Sequence, residues 1–378
     1  MSGPRAYLVL EDGEVFPGVR IGASGDAAGE VVFTTSMTGY QEVISDPSYR
    51  GQIVVMAYPL IGNYGFSVQA WEAPGPHAAG FVVREASDVV SHYLSGERLD
   101  AFLRRYEVRG LEGIDTRRLV RHLRTHGLQR GVIADDGGAG AVARARAVPA
   151  LHEQDLVGQV SRRAPAVLSG EGPRIAVLDC GVKAGIVEAL RRRRCEVVLF
   201  PHTASVEQVR AAHPSGVVVS NGPGDPAVLG PTIRTVAELV EEFPLMGVCL
   251  GHQLLALALG GHTYKMKFGH RGSNQPVLEV ATGRVMITTQ NHGYAVDPTV
   301  PPAAEVTHVN LNDGTVEGLR YRARPAFSVQ FHPEGRPGPT DADFLYDRFL
   351  AMVTAPAQIS LDAPALAEAG RPSAVDGG

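Results

Sequence analysis

Cysteine is scarce in this chain: three in 378 residues, Cys180, Cys195 and Cys249, with no Cys-x-x-Cys pair among them. An odd count without metal spacing fits reduced thiols in a reducing compartment rather than a disulfide scaffold. Long apolar runs are also missing. No stretch approaches the roughly 20 apolar residues that cross a bilayer. The run Ala6–Leu10 meets Glu11 and Asp12 too soon to be a signal-peptide core. Positive charge is not in excess: the formal net charge of -5 argues against a generic nucleic-acid binder. No Gly-x-x-x-x-Gly-Lys-Ser/Thr loop is present, so an ATP site of the P-loop kind is not expected. What remains is a cytoplasmic globular protein, 44% hydrophobic and 20% charged, long enough for two cores and a tail.

Residues 1–140 hold short strand-like runs, Tyr7–Leu10, Val31–Thr34, Gln52–Tyr58 and Gly80–Arg84, bounded by Gly, Pro or Asp. One helical pattern stands among them, capped by Asp115, with Leu119, Val120 and Leu123 on one face and Gly127 closing it. A mixed β/α domain is expected, of a topology that periodicity does not reveal. Residues 141–172 read as a linker region, Ala- and Arg-rich at first, then rich in Pro, Ser and Gly.

The second domain, 173–354, alternates strands with helices. Strands are expected at Arg174–Asp179, Glu196–Phe200, Gly216–Ser220 and Leu245–Val248. Helices are expected at Lys183–Arg194, Ser205–Ala212, Thr232–Glu242 and from the last strand through Leu259. That rhythm predicts parallel βαβ units in an α/β, doubly wound, mostly parallel sheet. Strands return after Gly261, a last helix falls near Asp341–Met352, and the Ala/Pro/Gly-rich residues 355–378 read as a disordered tail.

Gly247-Val248-Cys249-Leu250-Gly251 sits where an apolar strand meets a helical pattern and has the form of a nucleophile elbow with Cys in place of Ser. Such a turn sets the thiol at a helix N-terminus, where the dipole favours thiolate. The motif is short, and a buried core cysteine is the competing reading. Cys180 and Cys195 lack this setting and read as structural. His332-Pro333-Glu334 follows the apolar run Ala326–Val329, and Pro333 holds its neighbour extended. Residues i and i+2 then project to the same side, so Glu334 can orient His332 towards a thiol. A zinc site is disfavoured, since no further ligand has metal spacing.

Ser220-Asn221-Gly222-Pro223-Gly224-Asp225-Pro226 closes a strand, and its glycines let main-chain N–H groups approach a ligand. One of these, with the N–H of Leu250, is a candidate oxyanion donor pair; a plain Pro-Gly turn is the alternative. Gln253 lies one helical turn beyond Cys249, and Asn291-His292-Gly293-Tyr294 follows another strand.

Gly222-Pro223-Gly224-Asp225-Pro226, Gly247-Val248-Cys249-Leu250-Gly251-His252-Gln253 and His332-Pro333-Glu334, in that order, resemble the class I glutamine amidotransferases. Phe33 to Glu42, Asp46-Pro47-Ser48-Tyr49, Gly113 to Arg117 and Met266 to His270 resemble the small subunits of carbamoyl-phosphate synthetases. The resemblance implies L-glutamine hydrolysis, with Cys249 as nucleophile, His332 as base and then acid, and Glu334 as its orienter. It implies glutamine contacts from Ser48, Gly222, Gly224, Leu250, Gln253, Asn291, Gly293 and Tyr294, and no metal or cofactor in this chain. It also implies a large partner subunit that uses ATP and Mg to build carbamoyl phosphate from bicarbonate and tunnelled ammonia. Two positions depart from the family pattern, Tyr294 where phenylalanine is common and Gly185 where asparagine often stands. Both are expected to lie off the triad.

Three other readings compete. An amidotransferase serving a different acceptor is opposed by the N-terminal motifs. A regulatory subunit without activity is opposed by the intact Cys, His and Glu. A free-standing hydrolase leaves the N-terminal domain without a purpose.

Overall fold

Short β-branched runs in the first third close into a seven-stranded barrel built from Arg5–Leu10, Val15–Gly22, Ala27–Thr34, Gln52–Met56, Gly80–Val82, Arg109–Glu112 and Gln129–Ala134. The computed structural model describes residues 3–67, 69–300 and 303–354, so the tail at 355–378 lies outside the described residues. Alternation along each strand sends side chains to opposite faces. Leu8, Leu10, Val31, Phe33, Ile53 and Val55 join one cluster with Leu119 and Leu123 of the helix Thr116–His126. Val32, Val54, Met56 and Phe81 join another with Phe102. The helix begins as its sequence predicts: the Asp115 carboxylate accepts the Arg118 N–H at 2.9 Å, and Gly127 ends it at φ 93°.

Residues 141–172 carry structure of their own. The helix Ala139–Arg146 sets Ala141 and Ala145 against Val9 and Val132 of the barrel. Further on, the strand Ala166–Leu168 pairs antiparallel with Glu196–Pro201 at the edge of the second sheet.

That sheet has ten strands. Five are parallel neighbours, in the order Glu196–Pro201, Arg174–Asp179, Gly216–Val219, Leu245–Val248 and Ala326–Val329. Beyond the last, four antiparallel strands continue it: Val316–Tyr321, Val285–Val296, Thr263–Glu279 and Ala304–Asn310. The fold is therefore a mixed α/β one, with the doubly wound part confined to the parallel strands. Ala176 and Leu178 enter the core on one side of the sheet, Ile175 and Val177 the core on the other, as helix-covered parallel strands require. No helix among the described residues is long and apolar enough to cross a membrane.

The carboxyl ends of the parallel strands share one edge, where open α/β sheets bind ligands. The barrel docks near this edge through the loop after Ala27–Thr34: the Thr35 N–H donates to the Arg271 carbonyl at 3.1 Å. The last helix, Phe344–Thr354, seals one face of the sheet with the fully buried Leu345, Tyr346 and Phe349. Phe349→Ala is expected to cost about 3–5 kcal/mol through the cavity it leaves. The check is the urea midpoint by circular dichroism; an unchanged midpoint would show that this helix does not hold the sheet.

Candidate active site

Two glycines shape the nucleophile's turn. A Cβ on Gly251 would stand 2.0 Å from the Val219 carbonyl oxygen, and one on Gly247 would stand 2.6 Å from the Gly251 oxygen. Only glycine lets the strand Leu245–Val248 and the helix Leu250–Ala258 approach so closely. Between them Cys249 adopts φ 55°, ψ -105°, a strained conformation for a residue with a side chain. The Leu250 N–H lies in the first helical turn, where amides lack an intrahelical acceptor. The loop after Gly216–Val219 packs onto it: a Cβ on Gly222 would meet Leu250 Cδ2 at 2.7 Å. Leu250 and the Gly222–Gly224 loop, which carry the expected oxyanion donors, line the same cavity as Cys249.

The parallel pairing of Leu245–Val248 with Ala326–Val329 sets Val248 beside Val329 and so brings the residues after them, Cys249 and His332, to one sheet edge. The His332 N–H donates to the Thr289 carbonyl at 2.9 Å, which anchors the residue beyond its strand. Its Nδ1 is 2.7 Å from Glu334 Oε1, the i, i+2 pairing expected from the extended chain. Among the described residues Nε2 has no hydrogen-bond partner, although the Cys249 thiol is near enough to help hold a proton on the ring. The Cys249 sulfur is 3.6 Å from the Asn291 carbonyl oxygen.

Behind the triad lies a charge chain that sequence reasoning missed. Lys183 Nζ donates to Glu334 Oε1 at 3.1 Å and to the Arg336 carbonyl. Both side chains are enclosed, and the Tyr346 hydroxyl reaches Glu334 Oε2 at 3.5 Å. Glu72, from the segment after the barrel's fourth strand, joins the chain: its Oε1 is 2.8 Å from Arg336 Nε and its Oε2 accepts the Gly185 N–H at 3.0 Å. Burial pushes Glu72 up to about 7, against the pull of Lys183 and Arg336. Burial would likewise raise Glu334, but Lys183 and His332 outweigh it and hold the carboxyl well below the ordinary range. In His332 burial favours the neutral ring, yet the Glu334 charge wins and pushes its pKa up to about 10.

The two departures from the family pattern resolve differently. Tyr294 is buried and its hydroxyl faces the Asp225 carboxylate, the partner that its extra oxygen requires. Gly185 was expected to lie off the triad, and the structure corrects this. A Cβ there would sit 2.9 Å from Glu334 Cγ, so the glycine makes room for Glu72 beside the catalytic carboxylate.

Cys249 opens onto a cavity whose walls include Ser48, Gly222, Gly224, Leu250, Gln253, Asn291, Gly293 and Tyr294, all eight expected substrate contacts. Ser48 comes from the barrel unit. Asp46 positions it by accepting the Ser48 N–H at 2.9 Å, and Asn221 Nδ2 donates to its hydroxyl at 3.0 Å. Asp46 also accepts from Asn291 Nδ2 at 2.9 Å, so one carboxylate ties both halves of the pocket together. Gln253 Nε2 is held by the Tyr294 carbonyl at 2.8 Å. Glu30, Gln52, Lys265 and Arg271 also line this cavity, and none of the four falls within a motif. His332 instead borders a second cavity, with Thr34, Ser36, Lys183 and Arg336.

One group of metal-ligand type lies nearby. His270, His292 and Glu317 bring ligand atoms within 4.8 Å of one another. Their imidazoles are already engaged, His270 with Asp313 at 2.9 Å and Glu317 at 3.3 Å, His292 with the Tyr294 carbonyl at 2.8 Å and Gln290 at 3.0 Å. This donor set reads as a hydrogen-bonded core cluster.

A raised His332 pKa contributes stability that is full below the unfolded value of 6.5 and is lost as pH rises through about 10. The depressed Glu334 contributes above its unfolded value of 4.5 and loses this as pH falls through its folded value. In Glu334→Gln, burial and the Lys183 charge act on His332 against the Cys249 contribution alone, and its pKa is expected to fall to 6.5 or lower. Ring-nitrogen NMR shifts at pH 7.5 should report imidazolium in the native chain and neutral imidazole in the variant. Imidazolium in both would refute Glu334 as the source of the shift.

The family model for glutamine amidotransferase class-I matches residues 176–352, and that for the carbamoyl-phosphate synthase small chain, CPSase domain, matches residues 8–133. The carbamoyl phosphate synthase small chain of Bacillus caldolyticus is 49% identical over 353 residues, covering 92% of this chain and 96% of that one. The small chain of Methanopyrus kandleri is 48% identical over 92% of this chain and 99% of its own length. The pyrimidine-specific small chain of Bacillus subtilis is 46% identical, covering 92% and 95%. Among solved structures, a glutamine amidotransferase from Thermotoga maritima aligns at 20% identity with a TM-score of 0.37, over 43% of this chain and 77% of that one. Near-half identity along the length of both chains, with both domain models in order, means that this chain belongs to the carbamoyl phosphate synthase small chain family.

Proposed function

We propose that the chain hydrolyses L-glutamine to glutamate and ammonia at Cys249, and that a large partner chain consumes the ammonia to make carbamoyl phosphate. The observation that carries this reading is that Cys249 lines the same cavity as the eight expected glutamine contacts, while His332, paired with Glu334, borders a second cavity that shares Asn291 with it.

The thiolate of Cys249 attacks the side-chain amide carbon of glutamine, and the carbonyl electrons move onto oxygen. The N–H of Leu250 and one from the Gly222–Gly224 loop receive that oxyanion; loss of one such donor costs about 10²–10³ in turnover. His332, protonated at neutral pH by its contact with Glu334, gives its Nε2 proton to the leaving nitrogen. The C–N bond breaks, leaving ammonia and a glutamyl thioester. The neutral imidazole then takes a proton from water, whose oxygen attacks the thioester. Collapse of that second adduct releases glutamate and restores the thiolate and imidazolium.

The family's name as a small chain supports a larger partner. We assign ATP and Mg to that partner, and take its product to feed pyrimidine and arginine biosynthesis. We also assign the domain limits 1–140 and 173–354, and a cytoplasmic setting supported by three buried, unpaired cysteines.

With a large chain present, Cys249→Ala is expected to abolish carbamoyl phosphate formation from glutamine and to keep it from ammonium. Equal use of glutamine by both proteins would refute the triad. Glutamate release by the native chain without carbamoyl phosphate from either nitrogen source would keep the glutaminase and move the acceptor elsewhere.

A further inference from the structure

Arg271 stands in the cavity that holds Cys249, yet no motif and no step of the reaction uses it. It lies on the strand Thr263–Glu279, directly across from Asn291 in the antiparallel register. The residue is only 5% exposed, and its guanidinium forms no ion pair among the described residues. Nη1 donates to the Phe268 carbonyl at 2.7 Å, whereas the buried Nε has no acceptor. Nη2 lies against Gly293: a Cβ built there would be 3.2 Å away. Glu30 is the one carboxylate on the cavity wall, and both its oxygens are taken, by Lys265 Nζ at 2.6 Å and Gln52 Nε2 at 3.0 Å.

A guanidinium does not give up its proton at any working pH, so enclosing it without a counter-charge is unfavourable. Burial accordingly pulls its pKa down, while the nearby Tyr49, Glu30 and Cys249 only partly offset this. An anion entering the cavity would supply what the protein does not. Free guanidinium N–H groups match a carboxylate well, because two parallel donors meet its two oxygens. Glutamine offers one carboxylate, a few carbon–carbon bonds from the amide that must reach the Cys249 sulfur. On this basis we propose that Arg271 receives the α-carboxylate of glutamine and so restricts the site to α-amino-acid amides. The assignment rests on the glutaminase reading above.

Calorimetry on the full chain with Cys249→Ala separates binding from turnover. Adding Arg271→Gln is expected to weaken L-glutamine binding roughly tenfold or more, with Arg271→Lys in between. Turnover in the presence of the large chain gives the second readout. There Arg271→Lys should raise KM for glutamine several-fold and leave kcat nearly unchanged, the pattern of lost uniform binding. The same change should leave kcat/KM for 4-aminobutanamide, which is glutamine without its carboxylate, nearly as in the native chain. Unweakened glutamine binding in the Gln variant overturns the proposal. So does an equal loss for both substrates, which would place Arg271 in support of the thiolate or the fold. If Arg271→Gln fails to fold, as judged by its melting curve, the Lys variant decides through KM and the substrate ratio. A native chain that neither binds nor hydrolyses glutamine refutes the glutaminase reading itself; a native chain that hydrolyses it beside unaffected Arg271 variants refutes only the carboxylate role.

Discussion

Glu334 is a fully enclosed carboxylate, and most of the site's geometry follows from how its charge is kept ionised. A buried charge is tolerated only when paired and hydrogen-bonded, and removing one partner from such a group is strongly destabilising. His332 supplies one partner at 2.7 Å and Lys183 another at 3.1 Å. The Lys183 cation is itself buried and depends on Glu334 and Glu72 to stay protonated. Arg336 completes the chain by bridging Glu72 at 2.8 Å to Glu188 at 2.6 Å near the surface. The protonated state of His332 is therefore set by charges drawn from several distant stretches of sequence.

The chain of charges also joins the two structural units. Glu72 belongs to the barrel's half of the chain, and Lys183 and Arg336 to the sheet's. On the other side of the nucleophile, Asp46 holds Ser48 and Asn291 together, so the cavity has walls from both halves. Neither a bare α/β sheet nor a bare barrel would form this pocket. A glutaminase built this way is sensitive to any shift of the barrel against the sheet edge, since such a shift moves both the substrate wall and the electrostatics behind His332.

The elements nearest the chemistry were legible because each rests on a local rule. Gly247 and Gly251 flank Cys249 since close packing at a strand–helix turn tolerates no Cβ. Asp115 and Gly127 bound their helix through a side-chain cap and a positive φ. The pairing of His332 with Glu334 could be read from their spacing, although Pro333 and Glu334 form a turn, closed by the Gly335 N–H on the His332 carbonyl at 3.2 Å, in place of the expected extended run. The linker region was harder, because its short helix and edge strand lack periodic length: Ala166–Leu168 is held by pairing with a distant strand rather than by its own pattern. Gly185 shows the limit most clearly. As a sequence difference it looked remote from the triad, and only the fold places it against Glu334.

By itself the sequence pointed to Cys249, His332 and Glu334, to the alternation of strands and helices, and to the family, since all of these depend on neighbours within a few residues or on whole motifs. Tertiary structure alone decided that seven strands close into a barrel, that Lys183 and Glu72 set the charge of the triad, and that Arg271 stands uncompensated in the substrate cavity. Those features depend on strand pairing and on buried charges meeting across long stretches of chain, as Glu72 and Arg336 do. No local pattern encodes such a meeting, because the energy that makes it favourable arises only once water has been excluded from both partners.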